Sequence, residues 1–592
     1  MKKSGVQKHQ MGRVLKILSP VLSPRIYEFV LGLLLVLAST CCELLAPYLL
    51  GKGTDIVISP GANSKDLTKI VFAFLGVIVL RAVFEMFQAL VIQRTGQKVI
   101  HDLRIKVFTK VHTLPISYFD SHPTGRILTR VINDIKALSE LFTASISVLI
   151  LDVMIVLGSI GSMLWMDLDL ALITLVTIPL VFWTIWRFGE QLSEAYKTVR
   201  SRLSQVNSFL GENIGAIGTI QRLGAEHERL TTFSQIVDGH TEAQMKALKI
   251  YASVQPYANV LNGVAMASLM GVGGYWAIQG KISLGVLVAF FGYLRNLYQP
   301  IRDMVEKYNT FLSAMVAAER VVDILEEPSE SVDLVLPDRK TAGTIKDSSI
   351  VFDGVFFKYP TRESWALDNV SFEIEHGKSL AVVGTTGSGK SSLIRLLLRF
   401  YDLSQGKITL GGREIQEFDR RILRRHIGVI QQEVYLFSGT VRANLTLGRE
   451  EWDDSFLESQ CRKTHLWELI QSRGGLDMPV YEGGSNLSLG EKQLIAFTRI
   501  WVFQPEVLIL DEATASVDPI SERYLMSAIQ EGLRGRTSIV VAHRLSTIRQ
   551  CDKVIVMENG KVAEMGTYDG LLKKRGSFYR FHQIYSQLGK RG

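Results

Sequence analysis

Cysteine is scarce: 592 residues contain four. Cys41 and Cys42 are adjacent, while Cys461 and Cys551 stand far apart, so the spacing offers neither a disulfide framework nor a zinc site. All four read as ordinary apolar residues in a reducing compartment. No internal repeat or low-complexity tract stands out, and no cleavable signal is visible. The N-terminal MKKSGVQKHQMGRVLKIL is basic but lacks a short apolar core ending in a small-residue cleavage site. It reads as a surface-lying amphipathic helix leading into an apolar span. A mitochondrial presequence is the competing reading, and the lack of a Ser/Arg-rich amphipathic run counts against it.

What the chain has in quantity is apolar sequence. Apolar residues make up 47% and charged residues 21%, and the mean hydropathy is positive. A chain this long exceeds what one hydrophobic core organises. The composition implies an apolar part joined to an ordinary charged domain, with the division near residue 327. The net charge of +8 could signal nucleic acid, but Arg94, Lys98, Arg104, Lys106 and Lys110 follow an apolar stretch. That is the positive-inside bias of a membrane protein, so no nucleic-acid partner is expected and a lipid bilayer is.

Six segments are apolar enough to suggest spans, each needing roughly 20 residues: Tyr27–Leu50, Leu67–Ile92, Phe142–Met166, Leu168–Phe188, Val254–Ile278 and Leu284–Leu297. The last is short and is expected to continue as a helix toward Leu325. YEFVLGLLLVLASTCCELLAPYLL shows no polar face, which argues against buried helices of a soluble protein. Outer connections are tiny (MDLDL and QGKIS), whereas Gln93–Leu141 and Gly189–Ser253 are long, charged and helical in pattern. Each long connection has a break. Pro115, Pro123 and Gly125 isolate a piece around Ser117–Ser121, and Gly211, Gly215 and Gly218 surround one at about Asn213–Ile217. These elbows are expected to be docking knobs for a cytoplasmic domain. Glu43, Arg81, Glu85, Asp152 and Arg295 are ionisable residues within spans, where they either line a cavity or bind helices together. Arg81 and Glu85 are four apart and placed to neutralise each other.

Glu326–Thr344 is polar, contains two prolines and lacks periodicity, and reads as a linker. Beyond it, SIVFDGVFFKY, SLAVVG, VLILDE and TSIVVAH alternate with helical runs, with hairpin signals at Gly411-Gly412 and Asn559-Gly560. Strands followed directly by helices argue for an α/β domain with a buried parallel sheet. The expected limits are 1–26 for an N-terminal cytoplasmic segment, 27–326 for an all-α six-helix transmembrane domain, 327–348 for the linker and 349–592 for an ATPase domain.

The clearest motif is GTTGSGKS, Gly384–Ser391, between the strand SLAVV and an apolar helix. This is the setting of a phosphate-binding loop, in which glycines let backbone N–H groups wrap the phosphates and the helix N-terminus adds its positive end. Lys390 would reach the β- and γ-phosphates and Ser391 would bind Mg²⁺. VLILDE, Val507–Glu512, is a buried strand ending in two acids that should emerge beside that loop. Asp511 suits the Mg²⁺ shell, and Glu512 is placed to polarise an attacking water.

With NLSLGEKQ added, the domain resembles the ATP-binding cassette (ABC) family. That resemblance implies the remaining roles. Tyr359 in FKYP corresponds to the aromatic that stacks on adenine. Gly384, Thr385, Thr386, Gly387, Ser388, Gly389, Lys390, Ser391 and Ser392 would hold the nucleotide. Gln432 would touch Mg²⁺ and water and sense the membrane domain. LSLGE, Leu487–Glu491, is the signature, whose Ser488 and Gly490 would cap ATP bound on a partner chain. Asp518 lies in the loop that crosses the dimer interface, and His543 is the switch histidine at the γ-phosphate. Glu482 in YEGGS would link closure of the site to the elbows. The usual signature is LSGGQ. Here Leu489 and Glu491 depart from it, and Glu491 would stand near the triphosphate of the opposing site.

The resemblance covers nearly the whole chain and is to exporter half-transporters of multidrug and lipid-flippase type. The expected fold is an all-α six-helix transmembrane domain followed by an α/β P-loop ATPase domain with an antiparallel β subdomain. The expected function is ATP-driven export of amphipathic drugs or lipids, using ATP and Mg²⁺. An ATP-gated regulatory membrane subunit with little turnover is the alternative. Glu512 and His543 favour turnover, and the spans exclude a soluble ATPase of DNA maintenance. The expected partner is a second half-transporter chain, a heterodimer being favoured over a homodimer because of the altered signature. The expected location is the bacterial inner membrane, with both termini and the ATPase domain in the cytoplasm.

Overall fold

The computed structural model describes residues 13, 19–20, 23–59, 63–140, 146–330, 345–511, 519–541 and 545–588. The chain divides into two compact units. One comprises residues up to 112 together with 123–327, and the other comprises 113–122 together with the residues from 328 onward. The expected transmembrane stretch 27–326 is therefore interrupted, because Thr113–His122 belongs to the second unit.

In the first unit, four helices are long and apolar enough to cross a bilayer: Ser23–Ile58, Ser64–Thr113, Val148–Met166 and Asn259–Ile278. Leu168–Leu180 and Leu284–Leu297 are shorter apolar stretches. Both lie within longer helical runs, Leu168–Leu175 continuing after one residue into Thr177–Gly215, and Leu284–Glu326 being unbroken. The Ser64–Thr113 helix has 50 residues, about 75 Å at 1.5 Å per residue, more than twice a hydrocarbon core of about 30 Å. Helices of this length must project well beyond a membrane. Their outward faces carry Leu34, Phe72, Val79, Leu90 and Val260, all exposed. Rows of uncovered aliphatics are what lipid, rather than water, accommodates. The interior of the unit is a cluster of Met163, Leu170, Leu269, Phe290, Tyr293, Leu294 and Leu297.

The first elbow is where the prolines place it. Pro115 is extended (φ −68°, ψ 153°) and the helix Ile116–Ser121 follows it, ending before Pro123. The second differs from expectation. The helix Thr177–Gly215 runs unbroken through Gly211, and the break is at Ala216, followed by a short helix Ile217–Leu223 that ends on Gly224 in a left-handed conformation (φ 60°). Glycine in a helix interior costs about 1 kcal/mol relative to alanine, too little to break a helix of that length. Only Gly224 occupies a position that requires glycine's freedom.

The second unit contains two principal sheets. Strands β1 (Ile350–Phe357), β2 (Leu367–Ile374), β4 (Gln405–Leu410) and β5 (Arg413–Glu414) form an antiparallel sheet in the order β2-β1-β4-β5. Strands β3 (Ser379–Gly384), β6 (Ile427–Ile430), β9 (Val507–Asp511), β10 (Thr537–Val541), β11 (Lys553–Glu558) and β12 (Lys561–Gly566) form the other, in the order β12-β11-β3-β10-β9-β6. It is parallel apart from the β11–β12 hairpin. Every residue of β3 and β10 is buried, as expected of strands covered on both faces. A small pair, β7 (Gly439–Thr440) and β8 (Pro479–Val480), completes the set. Both hairpin signals are turns: Gly411 and Gly412 join β4 to β5, and Asn559 and Gly560 (φ 47° and 79°) join β11 to β12.

The linker's ends are anchored within this unit. Glu330 receives Arg424 at 2.6 Å and Arg420 at 3.3 Å, and its backbone N–H donates to the Thr113 carbonyl at 2.7 Å. At the other end, the Ser348 hydroxyl lies 2.6 Å from that of Thr537. Residues 331–344 lie outside the described residues.

Candidate active site

The loop between β3 and the helix Lys390–Leu397 is built around glycine. Gly384, Gly387 and Gly389 have φ of 155°, 82° and 108°. A Cβ on Gly384 would lie 2.3 Å from the Met557 carbonyl, and one on Gly389 would lie 2.8 Å from the Ala366 carbonyl. No other residue fits these two positions without moving backbone. The Lys390 ammonium is folded back over the loop, donating to the carbonyls of Gly384 at 2.7 Å and Thr385 at 2.9 Å. Thr385, Thr386, Gly387 and Ser391 are exposed around it, while Ser392 is buried. The Ser388 hydroxyl is buried without a hydrogen-bond partner, and an orphaned polar group of that kind calls for a ligand. A glycine cradle, a cation at its mouth and a helix N-terminus together suit a polyphosphate.

The acids expected beside the loop come from the same sheet edge. β10 pairs in parallel with both β3 and β9, and Asp511 is opposite Val541 at the carboxyl end. β6 pairs with β9 up to Ile430–Leu510, so the exposed Gln432, two residues on, leaves the sheet at that edge too. Ligands of open α/β sheets bind outside the carboxyl ends of the strands. Glu512, Asp518 and His543 lie outside the described residues.

Tyr359 is half-buried, its hydroxyl 3.0 Å from that of Ser392. Its ring stands edge-on to Phe357 and Tyr401 at 4.8 and 5.1 Å, and the Arg395 guanidinium lies 5.8 Å from its centre. Asp120, on the first elbow, accepts from Arg395 at 2.9 Å and from the Tyr401 hydroxyl at 2.5 Å. The Tyr401 phenol is pushed up, first by burial and then by this bond to a carboxylate. Ile116 of the same elbow packs on the core that contains Leu393, Leu397 and Tyr401.

In the signature, Ser488 caps the helix Leu489–Phe503. Its hydroxyl accepts from the Glu491 N–H at 3.2 Å, while Glu491 Oε2 accepts from the Ser488 N–H at 2.8 Å. This reciprocal pair is a capping box. Glu491 Oε1 accepts from Arg473 at 2.6 Å, so both oxygens of the off-pattern acid are engaged inside its own chain. Gly490 is buried; Leu489 and Glu482 are exposed.

The same organisation is found in known proteins. Residues 29–301 match the ABC transporter transmembrane region, and residues 367–515 match the ABC transporter ATPase family. The probable multidrug resistance ABC transporter ATP-binding/permease protein YheH of Bacillus subtilis is 31% identical over 88% of this chain and 77% of its own length. The fatty acid ABC transporter ATP-binding/permease protein of Mycobacterium bovis is 32% identical over 89% of this chain and 83% of its own. The chain belongs to the ABC transporter family. The structure of a bacterial Atm1-family ABC exporter with ATP bound has a TM-score of 0.77 at 25% identity, covering 95% of this chain and 98% of that one. This ABC transporter is of the exporter half-transporter type, with one membrane domain and one ATPase domain in a single polypeptide. It is an ATP hydrolase coupled to transmembrane transport. Half-transporters of this kind dimerise and work in the lipid bilayer.

Three parts of the transporter's site were not singled out by sequence. Asp120, Arg395 and Tyr401 are far apart in the chain and carry no motif. Arg473 is a lone cation 18 residues before Glu491. The capping box alone had a readable signal, Ser488 followed by Glu491 three residues later.

Proposed function

We propose that this transporter exports amphipathic small molecules or lipids from the cytoplasm or inner leaflet by alternating access, driven by ATP hydrolysis. It would sit in the bacterial inner membrane with the ATPase unit and both termini inside. The observation that carries the reading is a membrane domain whose own elbow, Ile116–Ser121, is held by Asp120 against residues adjoining the phosphate loop. A gate that only sensed ATP would need no such tie to a hydrolytic site.

In this reading Tyr359 stacks on adenine. Gly384, Thr385, Thr386, Gly387, Ser388, Gly389, Lys390, Ser391 and Ser392 hold the phosphates. Glu512 orients the attacking water, His543 contacts the γ-phosphate, and Asp518 lies at the dimer interface. Ser488 and Gly490 cap the nucleotide of the opposing chain. Ser391, Asp511 and Gln432 would hold Mg²⁺, which supplies charge neutralisation of the phosphates when bound. Oxygen donors at a helix N-terminus and a strand end suit such a hard cation.

The partner is a second, different half-transporter. In a head-to-tail dimer each site joins one chain's phosphate loop to the other's signature. A homodimer would place LSLGE at both sites, whereas a heterodimer confines it to one. The expected partner carries a standard signature and a replaced catalytic acid. The substrate class has support from relatives named for multidrug resistance and for fatty acids.

The test is uptake into inside-out membrane vesicles, with the chain expressed alone and with candidate partners. ATP-dependent accumulation of a fluorescent amphiphile, abolished by Lys390→Ala, is the expected result. ATP binding with neither accumulation nor turnover would favour the regulatory subunit instead.

A further inference from the structure

We propose that Asp55 is a reversible clasp that closes the outer end of the translocation pathway by capping the helix Leu284–Glu326. The inference rests on the alternating-access reading above.

Asp55 lies near the end of the helix Ile26–Ile58. Its Oδ1 accepts from the Gly285 backbone N–H at 2.7 Å, and its Oδ2 accepts from the Ser283 hydroxyl at 2.8 Å. Ser283 is itself the N-cap of the second helix, its hydroxyl accepting from the Val286 N–H at 3.2 Å. A carboxylate on one helix thus satisfies, directly and through a serine, N–H groups that every helix leaves open in its first turn. It also places its charge at the positive end of a 43-residue helix. The C-terminal end of that helix runs on toward the ATPase unit, so this N-terminal end belongs to the opposite membrane face.

The seam below the clasp is made of small residues. A Cβ on Gly51 would lie 2.4 Å from the Gly285 carbonyl, and one on Gly285 would lie 2.2 Å from the Gly51 carbonyl. One on Gly292 would lie 2.8 Å from Pro47, and further along Tyr293 donates to the Leu44 carbonyl at 2.8 Å. Positions 44, 47, 51 and 55 share one helix face. Close backbone contact of this kind buries little apolar side-chain area.

The Leu284–Glu326 helix is bound far more strongly on its other face. There Phe290, Leu294 and Leu297 join Met163, Leu170 and Leu269 in the core of the unit. The Ile26–Ile58 helix, for its part, is tied along its length to Ser64–Thr113. Glu28 bonds Thr95 and Lys98, Ser39 bonds Gln88, Glu43 pairs with Arg81, and Arg25 pairs with Asp102. The two helices Ile26–Ile58 and Ser64–Thr113 form one body, the bundle around Phe290 forms another, and the glycine seam is the weak line between them. At its outer end the closed state is held by hydrogen bonds of a half-buried carboxylate and an exposed serine, which water can replace. Opening there costs little, and Asp55 sets how little.

The experiment uses the full-length chain in nanodiscs, with its partner subunit where one is required. Spin labels are placed at Ile58 and Lys281, both exposed, and Cys41, the exposed native cysteine, is replaced by Ser. In the wild type, trapping with ATP should lengthen the label distance. Asp55→Ala should raise the long-distance population several-fold without nucleotide, Ser283→Ala should raise it less, and Asp55→Asn, which keeps Oδ1, should restore most of the closed population. Label distances in Asp55→Ala and Ser283→Ala that superimpose on the wild type, when the wild type does respond to ATP, would overturn the clasp alone. A wild type whose distance never responds to ATP would overturn the alternating-access reading, and the clasp with it.

Discussion

The Tyr401 hydroxyl donates to Asp120 at 2.5 Å across 281 residues of sequence. Arg395 donates to the same carboxylate oxygen at 2.9 Å while its guanidinium also lies over the Tyr359 ring. One carboxylate on the first elbow is therefore two contacts away from the aromatic assigned to adenine. The elbow's own geometry is stiff. Tyr118 is buried and stacked on His122 at 4.2 Å, with Phe119 edge-on at 5.9 Å.

We expect Asp120→Ala to uncouple the transporter without abolishing its chemistry. The carboxylate touches no residue of the phosphate loop itself, so ATPase activity should persist in part while transport collapses. Tyr401→Phe, which removes one of the two bonds, should give an intermediate ratio. Parallel ATPase and vesicle-uptake assays on each variant check this. If transport and hydrolysis fell in strict proportion, the elbow would not be a coupling device.

Glu512→Gln should retain ATP binding and lower turnover at least a hundredfold, because the amide keeps the shape but cannot act as a base toward water. Trapped ATP should then be recovered with the purified protein. Near-normal steady-state hydrolysis at this chain's own site would remove Glu512 from its proposed role.

How much of this could be read in advance depended on whether a local residue imposed the geometry. Pro115 and Pro123 bracket the first elbow because neither can continue a helix through it, and the helix falls between them. Gly211 and Gly215 only weaken a helix, and Thr177–Gly215 passes through both to break at Ala216. The parallel strands were legible from unbroken aliphatic runs, SLAVV and VLIL, since a sheet buried on both faces leaves no polar position. The Asp120–Tyr401 bond and the Glu330 pairs with Arg420 and Arg424 were not legible. Such pairs are chosen by the fold, and nothing local distinguishes those residues from other surface charges. The Asp55 contact belongs to the same class, because a single carboxylate at a helix end acquires meaning only from the helix it meets.

Cys461 and Cys551 provide a pH test. Burial pushes both thiols up to about 12, against about 8.5 for a free thiol. The folded state therefore keeps protons that the unfolded state releases above about pH 8.5. Their contribution to stability is complete below that pH and is lost as pH rises toward 12. Thermal unfolding of the solubilised chain should show a midpoint falling across that range, with a shallower slope in Cys461→Ser and Cys551→Ser. Thiolate-selective reagents at pH 8 should leave both residues unmodified until the protein is denatured. Rapid labelling of either in the native chain would contradict their burial.

The last prediction concerns the acid that departs from the family's signature. Glu491 Oε2 closes a capping box with Ser488, and Oε1 binds Arg473 at 2.6 Å. Its charge is thereby held at the N-terminus of its own helix and partly neutralised, rather than presented to the opposing nucleotide. Glutamine at this position could keep the bond to the Ser488 N–H but would lose the charge-assisted contact with Arg473. Glu491→Gln should therefore cost at most about 1 kcal/mol of stability, in the range of a weakened helix cap. Glu491→Ala, which removes the box entirely, should cost more. The catalytic consequence separates the two assemblies. In a heterodimer in which LSLGE faces a partner lacking the catalytic acid, Glu491→Gln should leave steady-state turnover within about twofold, because the hydrolysing site uses the partner's signature. In a homodimer every site uses LSLGE, and restoring the family's glutamine should change turnover at both. Measuring kcat for the wild type and Glu491→Gln, alone and with the co-expressed partner, decides the matter. A stable, active homodimer whose turnover rises with Glu491→Gln would sink the heterodimer proposal.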